Sequence, residues 1–284
     1  MTPQHPVAAA PAVNPNKALW EKGDFTRIAA AMRESGAALV DRIGVTPAME
    51  VLDLGCGDGT TAIPAARTGA RVLGVDIAAN LVAAGNARAL EEGLSNLFFR
   101  EGDASRLEGL ADDRFDLVIS IFGAMFAPRP FDVAAEMVRV TRPGGRIVMG
   151  NWIPGDPTLV AQILQISAAF TPPPPEGFVS PVSWGLVDEV QKRFGAAGIM
   201  PDGIVCRPAL YNFRLPAPPA VLLDTFRRFY GPTMNAFEAA EKDGRAADLQ
   251  AELLALFDAQ NQGGVDMTDI PARYLEVVVT KPVG

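Results

Sequence analysis

Short apolar stretches alternate along the first half of the chain with segments whose apolar residues recur every three or four positions. The apolar stretches predict buried strands at 49–55, 71–76, 96–103, 115–120 and 146–152. Helical periodicity predicts a helix within 20–44, before the first strand, and helices between the strands at 60–68, 77–93 and 131–140. Strands that alternate with helices at this pitch pair in parallel through right-handed crossovers. The first half therefore predicts a doubly wound, Rossmann-like α/β sheet.

The pattern changes after Trp152. A proline-rich segment at 171–185 is incompatible with a helix or a central strand and predicts a loop or lid. A helix is predicted near 186–197, and two further strands, near 203–214 and at 273–281, would complete the sheet. The residues between those two strands show amphipathic helical patterns. An insertion of that size in a sheet connection predicts a helical cap.

These patterns divide the chain into segments with different expected roles. The predicted segments are a disordered lead at 1–16, a cofactor-binding core at 17–152, a lid loop with the continuation of the core at 153–214, a helical cap for the substrate at 215–265 and a final strand at 266–284. The lead is rich in proline and alanine, and it lacks the basic and apolar regions of a signal peptide. No apolar run reaches the roughly 18 residues that a membrane span needs.

Composition narrows the classes of function. Of the 284 residues 49% are hydrophobic, and the formal net charge is −8, which argues against nucleic acid or an anionic membrane as partner. Two cysteines are too few for a disulfide framework, an iron–sulfur cluster or a four-thiolate zinc site, and they suit a reducing cytoplasm. The single histidine, His5, falls in the predicted lead. We therefore expect neither a histidine base in the folded body nor a metal.

The segment VLDLGCGDGTT, residues 51–61, runs from a predicted buried strand into Gly55, Gly57 and Gly59. Glycines this dense let a ligand approach the backbone closely. A dinucleotide-binding loop has the spacing G-x-G-x-x-G, and a phosphate-binding P-loop ends in a lysine, whereas this segment reads G-x-G-x-G without lysine. Two acids in the segment would also repel a pyrophosphate. The pattern disfavours a dinucleotide and excludes a P-loop.

Three acids lie in or just after successive predicted strands: Asp53 in the first, Asp76 at the end of the second and Asp103 at the end of the third. In a doubly wound sheet the carboxyl ends of the strands line the ligand crevice. Asp76 has nearly the spacing from the glycines at which an acid binds ribose hydroxyls. Asp103 would accept from an adenine amine, and Asp53 would face an ammonium group. The implied ligand carries an adenosine and a positive charge but no phosphate.

This arrangement resembles the class I S-adenosylmethionine-dependent methyltransferases, in their ubiquinone/menaquinone-type small-molecule branch. The matching segments are VLDLGCGDGT, VLGVDI, EGDA, FDLVIS and VTRPGG, which stand in the family's order and spacing within residues 17–152. The resemblance implies a seven-stranded, mostly parallel sheet whose last strand is antiparallel. It also implies S-adenosyl-L-methionine as cofactor, S-adenosyl-L-homocysteine as product, and methyl transfer to an oxygen, nitrogen, sulfur or activated carbon atom of a small molecule.

The resemblance implies cofactor contacts position by position. Gly55, Gly57 and Gly59 would pass beneath the methionyl part, whose ammonium group Asp53 would hold. Asp76 would bind both ribose hydroxyls. The other implied contacts are Ile77 and Ala104 at the adenine ring, Asp103 at the adenine amine, Ser120 and Ile121 along the methionyl chain, and Trp20 and Phe25 as walls from the lead helix.

Residues outside these motifs are candidates for acceptor binding. Methyl displacement requires alignment and exclusion of water, and it needs a base only where the nucleophile stays protonated. The candidate pocket residues are Met125, Phe126, Trp152, Trp184, Phe229 and Tyr230, and the candidate catalytic residues are Asn151, Tyr211 and Tyr230. Such aromatic walls favour a planar or aromatic acceptor. The sequence leaves the choice between monomer and homodimer open.

Two other functions stay open from the sequence. One is a cofactor-binding protein without methyl transfer, which would act as a sensor or partner subunit. The other is an NAD(P)-dependent dehydrogenase, which the G-x-G-x-G spacing and the lack of a histidine or Tyr-x-x-x-Lys acid disfavour. A nucleic-acid amino-methyltransferase is disfavoured because SIFGAMF stands after the fourth strand, where those enzymes carry a [DNS]-P-P-[FYW] motif.

Overall fold

A computed structural model of the chain describes residues 16–283. Its strands are β1 Glu50–Leu54, β2 Arg71–Asp76, β3 Leu97–Glu101, β4 Phe115–Ile121, β5 Thr141–Trp152, β6 Ile204–Leu215 and β7 Thr268–Thr280. They form a seven-stranded sheet in the order β3-β2-β1-β4-β5-β7-β6. β7 is antiparallel to both β5 and β6, whereas the other pairs are parallel. The predicted doubly wound sheet with an antiparallel last strand is confirmed.

The centre of the sheet is β1, which pairs with β2 on one side and β4 on the other. Leu52 lies opposite Leu73 of β2 and Val118 of β4. Because these three strands are parallel and in register, their carboxyl ends meet at one edge of the sheet. The loops that follow β1, β2 and β4 therefore converge there.

Helices cover both faces of the sheet. They are α1 Asn16–Lys22, α2 Phe25–Ala30, α3 Arg33–Ile43, α4 Ala62–Arg67, α5 Ala79–Glu91, α6 Pro130–Val140, α7 Leu159–Ala168, α8 Val187–Ala196, α9 Pro219–Phe229, α10 Gly231–Lys242 and α11 Ala246–Gln260. Short 3₁₀ turns occupy Ala124–Phe126, Pro181–Gly185 and Pro201–Gly203. The helix α7 was not predicted from the sequence, and β7 begins before the predicted position 273.

The region 20–44, where the sequence predicts a helix with Ile28, Met32, Leu39 and Ile43 on one face, contains parts of three helices. The first break falls at Gly23, where a Cβ atom would lie 2.2 Å from the carbonyl oxygen of Phe229. Asp24 follows and caps α2 by accepting from the N–H of Thr26 at 3.2 Å. The chain turns again between α2 and α3. With these two turns, the three helices follow the edge of the fold. A single straight helix would extend away from it.

Alternate residues of the strands pack against different faces of the sheet. Leu52 and Leu54 belong to a large cluster with α6 and α8, whereas Val51 belongs to a smaller cluster under α4 and α5. This alternation follows from the two-residue period of a strand that is buried on both faces. The sheet is therefore a rigid platform for the loops at its edge.

Three helices, α9 to α11, stand between β6 and β7 in the chain, where the sequence predicts a cap. α9 packs against α2, and α10 packs against α1 and α7. The inserted helices thus contact the first helices of the described chain. Among residues 16–283, no helix has the length and apolar character needed to cross a membrane.

Candidate active site

A cleft opens at the edge of the sheet where the loops after β1, β2 and β4 converge. The residues predicted for the site that line this cleft are Trp20, Phe25, Gly55, Gly57, Asp76, Ile77, Asp103, Ala104, Ile121, Phe126 and Tyr211. The fold therefore brings together side chains that are separated by up to about 190 residues in the sequence.

The glycine loop after β1 forms one wall of the cleft. Gly55 and Gly57 both line it, with φ angles of +68° and +54°. Such left-handed angles disfavour residues with a Cβ atom. Gly59, at φ +93°, lies behind the wall instead, where a Cβ would be 2.7 Å from the ring of Phe99. The third glycine thus serves the packing of the loop.

Asp53 is buried just behind this loop. Its Oδ2 accepts a hydrogen bond from the hydroxyl of Thr61, and its Oδ1 is buried without a hydrogen-bond partner in the described part of the chain. Burial raises the pKa of Asp53 to about 7, and the nearby charge of Asp76 adds to the rise, against the hydrogen bond from Thr61. Thr61 itself lines the cleft. A carboxylate oxygen without a partner here is a strong acceptor for a cationic donor.

Asp76, at the end of β2, faces the cleft with most of its carboxylate buried. One oxygen accepts from the N–H of Gly57 at 2.8 Å and the other from the N–H of Ala78 at 2.9 Å. Burial raises the pKa of Asp76, and these N–H groups oppose the rise. Each carboxylate oxygen has a second lone pair. Asp76 therefore fixes the glycine loop and retains acceptor capacity toward a ligand.

Asp103 follows β3 at the same end of the cleft. Its Oδ1 accepts from the N–H of Ser105 at 2.8 Å and from the Ser105 hydroxyl at 2.6 Å. The Ser105 hydroxyl also accepts from Arg129 at 2.8 Å. These bonds hold the turn that presents Ala104 to the cleft. Asp76, Ile77, Asp103 and Ala104 together form what we call the acidic end of the cleft.

Asp58 has a role that the sequence did not indicate. It is 1% exposed and forms ion pairs with Arg33 of α3 at 2.9 Å and with Arg88 of α5 at 3.3 Å. The Arg88 guanidinium also donates to the Asp58 carbonyl at 2.7 Å. The glycine loop is thereby tied to helices on either side. The sequence shows the charged residues, but Arg33 and Arg88 lie 25 and 30 residues away from Asp58 in the chain. Only the fold brings the three side chains together.

Ser120 lies beneath the cleft, whereas the adjacent Ile121 lines it. The Ser120 hydroxyl donates to the carbonyl of Leu54 at 2.6 Å and accepts from the N–H of Ala124 at 3.0 Å. It thus joins the end of β1 to the turn after β4. The Ser120 hydroxyl therefore holds these two segments together.

A second group of lining residues, which we call the aromatic end, comprises Trp20, Phe25, Met32, Phe122, Phe126 and Tyr211. The ring of Trp20 lies 4.9 Å from that of Phe126 and 5.8 Å from that of Phe25, both edge to face. The Tyr211 hydroxyl donates to the carbonyl of Met32 at 3.0 Å. Burial raises the pKa of Tyr211 far above neutrality. Tyr211 is therefore a wall and not a base at neutral pH.

Sequence reasoning missed Phe122, Met32 and Asn16 as lining residues. Phe122 directly follows β4 with φ +62°, an unusual conformation for a bulky residue. Its ring stacks on Trp152 at 3.6 Å between centroids and 8° between planes. Backbone strain of this kind concentrates at functional sites. The sequence shows Phe122 as the first phenylalanine of SIFGAMF, but its left-handed backbone angle could not be predicted from the sequence.

The remaining predicted pocket residues do not line the cleft, and the sequence reasoning placed them too near it. Met125 is buried in the core, Trp152 lies under Phe122, and Trp184 is buried against the guanidinium of Arg193 at 4.5 Å. Phe229 lies between the arginines Arg27 and Arg228 and borders another surface depression. Their large apolar side chains fill packing gaps between elements.

Two candidate catalytic residues also lie outside the lining. Tyr230 is 5% exposed and stands behind Trp20 and Phe25, at ring distances of 5.9 and 6.2 Å. Burial raises its pKa well above the ordinary value. Asn151 is fully buried in β5, and neither side-chain amide atom has a hydrogen-bond partner within residues 16–283. Neither residue contacts the cleft.

His5 falls outside the described residues, as does the predicted disordered lead except for its last residue, Asn16. Asn16 begins α1 and lines the cleft, where its side-chain amide donates to the carbonyl of Phe126. Among the described residues, no group of three or more histidine, cysteine, aspartate or glutamate side chains is arranged to hold a metal ion.

Comparison with known proteins identifies relatives of the chain. Residues 52–149 match a family model described as a methyltransferase domain. A protein of Mycobacterium tuberculosis is 33% identical over 253 residues, which are 84% of this chain and 88% of the relative. Nocamycin O-methyltransferase of Saccharothrix syringae is 30% identical over 253 residues, with the same coverage of both chains.

A solved structure shows the same fold. Phosphoethanolamine N-methyltransferase 2 of Haemonchus contortus, in complex with S-adenosyl-L-methionine, superposes with a TM-score of 0.59 at 16% identity. The match covers 95% of this chain and 61% of that enzyme. The likeness at this identity concerns the arrangement of strands and helices.

Proposed function

The chain belongs to the S-adenosylmethionine-dependent methyltransferases, and we propose that its acceptor is a small, apolar and planar molecule bound at the aromatic end of the cleft. The observation that supports this proposal is the mixed lining of one cleft. Acidic side chains and the glycine loop line it together with aromatic side chains and Met32.

The residues present fit the cofactor. The buried, unpartnered Oδ1 of Asp53 suits the ammonium group of the methionyl part, and the free lone pairs of Asp76 suit the ribose hydroxyls. The left-handed Gly55 and Gly57 leave room for close approach to the backbone. Ile77, Ala104 and Asp103 would hold the adenine. When bound, the cofactor supplies an electrophilic methyl group on a sulfonium.

The chain's own residues position the reactants and exclude water. Trp20 of the first helix packs edge to face against Phe25 of the second helix and against Phe126 of the turn after β4, so the aromatic end is built from elements far apart in sequence. Alignment of two reactants accounts for as much as about 7–11 kcal/mol of a barrier. Phe122, held on Trp152, and Tyr211, held on Met32, give this end fixed walls.

The lining supports an apolar acceptor. The side chains of the aromatic end are apolar apart from the Tyr211 hydroxyl, which is donated to the carbonyl of Met32, and the Asn16 amide lies next to Phe126. A strongly polar acceptor would lose its hydration there without compensating hydrogen bonds. A planar acceptor ring would pack against aromatic side chains such as Trp20 and Phe126, which already pack edge to face on each other.

The net charge of −8 supports a small molecule rather than a nucleic acid as the acceptor. The two free cysteines, Cys56 and Cys206, support action in a reducing, cytoplasmic compartment. The proposed enzyme acts as a monomer or homodimer.

Isothermal titration with S-adenosyl-L-homocysteine tests the cofactor site, and we expect saturable binding at micromolar to millimolar ligand. Production of S-adenosyl-L-homocysteine from the methyl donor with a panel of aromatic acids, phenols and amines tests the transfer. No binding at millimolar ligand would contradict the cofactor assignment. Binding without turnover of any panel member would leave a cofactor-binding protein as the better description.

A further inference from the structure

We propose that the ring of Phe25 makes the cleft prefer the positively charged methyl donor to its neutral product, through a cation–π contact with the sulfonium. The inference rests on the function proposed above and deepens it, since it concerns which form of the cofactor the cleft retains. It follows from the position of Phe25 beside the glycine loop and from the kinds of side chain that line the cleft.

The ring of Phe25 adjoins the glycine loop. Its Cδ1 atom lies 3.8 Å from the position that a Cβ atom on Gly57 would take. The N–H of Gly57 donates to the carboxylate of Asp76 at 2.8 Å. The ring, the loop and this carboxylate are therefore neighbours in the lining of the cleft. A methionyl chain that passes over Gly55 and Gly57 would pass beside the ring.

Contacts with distant segments hold the ring of Phe25 in this position. The chain turns at Gly23, where a Cβ atom would lie 2.2 Å from the carbonyl oxygen of Phe229, and α2 then begins at Phe25. The rings of Trp20 and Tyr230 lie 5.8 and 6.2 Å from the ring of Phe25. The protein thus positions this ring through its own packing.

The side chains that line the cleft favour a cation. Within residues 16–283, no lysine, arginine or histidine lines it, and its charged side chains are the carboxylates of Asp76 and Asp103. Its aromatic side chains are Trp20, Phe25, Phe122, Phe126 and Tyr211. The face of an aromatic ring carries partial negative charge and attracts a cation.

Cationic side chains on the helices that border the cleft are compensated by carboxylates. The pairs are Lys17 with Glu101 at 2.6 Å, Lys22 with Glu238 at 2.8 Å, Arg27 with Asp24 at 3.1 Å and Arg33 with Asp58 at 2.9 Å. None of these four cations lines the cleft. Their charges therefore oppose a positive ligand only weakly.

The methyl donor and its product differ at the sulfur. Both carry the adenosine and the ammonium group, so the contacts proposed for Asp53, Asp76 and Asp103 serve both. Only the donor has a positive charge on the sulfur. A cation within about 6 Å of a ring centroid is attracted by the ring, and more strongly where water is excluded. A cleft that prefers the charged form would bind the donor and release the product.

Titration calorimetry of the full chain, without acceptor, tests this inference by binding alone. We expect S-adenosyl-L-methionine to bind at least about tenfold more tightly than S-adenosyl-L-homocysteine. Phe25→Leu keeps an apolar side chain but removes the ring, and it should lower this affinity ratio several-fold. Phe98→Leu makes the same change on β3, at a side chain that is 64% exposed, and it should leave the ratio unchanged.

The affinity ratio separates charge preference from packing. Loss of packing alone would weaken both ligands equally in Phe25→Leu and leave the ratio as in the wild type. That result, or equal affinities of the wild type for the two ligands, would overturn the inference and leave the proposed function intact. Binding of neither ligand would contradict the proposed function as well.

Fluorination of the ring at position 25 tests the charge of its face directly. Phenylalanine analogues with one, two or three ring fluorine atoms withdraw electron density from the face with little change of size. We expect the affinity for S-adenosyl-L-methionine to fall stepwise with each fluorine and that for S-adenosyl-L-homocysteine to stay constant. A constant affinity for the donor across the series would show that the ring acts only as an apolar wall.

Discussion

Gly55 and Gly123 lie back to back beneath the cleft. A Cβ atom on Gly55 would be 2.6 Å from the Cα of Gly123, and one on Gly123 would be 2.3 Å from the carbonyl oxygen of Gly55. The glycine loop after β1 and the turn after β4 therefore meet through bare backbone. This contact sets how closely the two segments approach each other.

Gly123→Ala should loosen that contact. Gly123 has φ −88°, so alanine is allowed by the backbone and the effect is steric. We expect cofactor affinity to fall at least about tenfold and stability to fall by about 1–3 kcal/mol, the usual cost of overpacking. Isothermal titration and urea unfolding measure the two effects.

Gly195→Ala is the matched control for Gly123→Ala. Gly195 lies within α8, and a Cβ there would meet no atom within 4 Å. Alanine in a helix interior should stabilise the protein by about 0.5–1 kcal/mol and leave cofactor affinity unchanged. Equal behaviour of the two variants would show that the contact with Gly55 is unimportant.

Cofactor affinity should depend on pH through Asp53. Its pKa of about 7 means that the carboxyl is largely protonated below that pH, where it cannot pair with an ammonium group. We expect the affinity for S-adenosyl-L-homocysteine to rise from pH 5 to pH 8, with a midpoint near 7. In Asp53→Asn the affinity should be weaker and the pH dependence lost. An unchanged profile in the variant would assign the titration to another group.

Ionisation of the Asp53 carboxyl should destabilise the cofactor-free protein as the pH rises. The folded-state pKa of Asp53 lies above its ordinary value of 3.8, so the folded state binds the proton more tightly than the unfolded state. The resulting stability is present at low pH and is lost as the pH rises from about 4 to about 7. Asp53→Asn should therefore be more stable than the wild type at pH 8, by about 2 kcal/mol, in urea unfolding. If Asp53→Asn were less stable than the wild type at pH 8, burial of the Asp53 charge would not destabilise the folded protein.

Asp76→Ala should weaken cofactor binding by roughly 1–3 kcal/mol, the scale of a lost charge-assisted hydrogen bond. The structure adds a second effect, because the N–H groups of Gly57 and Ala78 also lose their acceptor. Titration of S-adenosyl-L-homocysteine measures the loss. Asp258→Ala, on the exposed side of α11, controls for the change of net charge. Unchanged affinity in Asp76→Ala would refute the ribose assignment.

Two substitutions of Phe122 should differ in stability in an unusual order. Both Phe122→Ala and Phe122→Gly lose the stacking on Trp152, but only alanine keeps a Cβ at φ +62°. The glycine variant should therefore be the more stable of the two, by about 1 kcal/mol. Urea unfolding of both proteins decides the order. An alanine variant as stable as the glycine variant would show that the backbone relaxes at little cost.

Local sequence was sufficient for the acidic end of the cleft. The glycine loop, Asp76 and Asp103 each directly follow a strand whose apolar run is readable, and parallel strands carry their carboxyl ends to one edge. Position in the chain therefore fixed position in space for these residues. The same reasoning failed for the first helices, because the turn at Gly23 depends on a contact with Phe229, about 200 residues away.

Only part of the aromatic end could be read from the sequence, which indicated Trp20, Phe25, Phe126 and Tyr211 but neither Phe122 nor Met32. Trp152, Trp184 and Phe122 are all large and apolar, yet only Phe122 faces the cleft, since its left-handed backbone turns it away from the direction of the strand. Met32 and Tyr211 reach the same wall from α3 and β6. Which apolar side chain fills the core and which lines a cavity depends on packing between distant elements.

The sequence by itself determined the sheet, the cofactor edge and the class of methyl donor, because strand periodicity and the spacing of glycines and acids are local properties. Tertiary structure decided the rest. It placed Asp58 between Arg33 and Arg88, set Gly55 against Gly123, and brought Trp20, Phe122 and Tyr211 into the lining of one cleft. These are contacts between segments far apart in the chain, and their geometry exists only once the whole chain has packed.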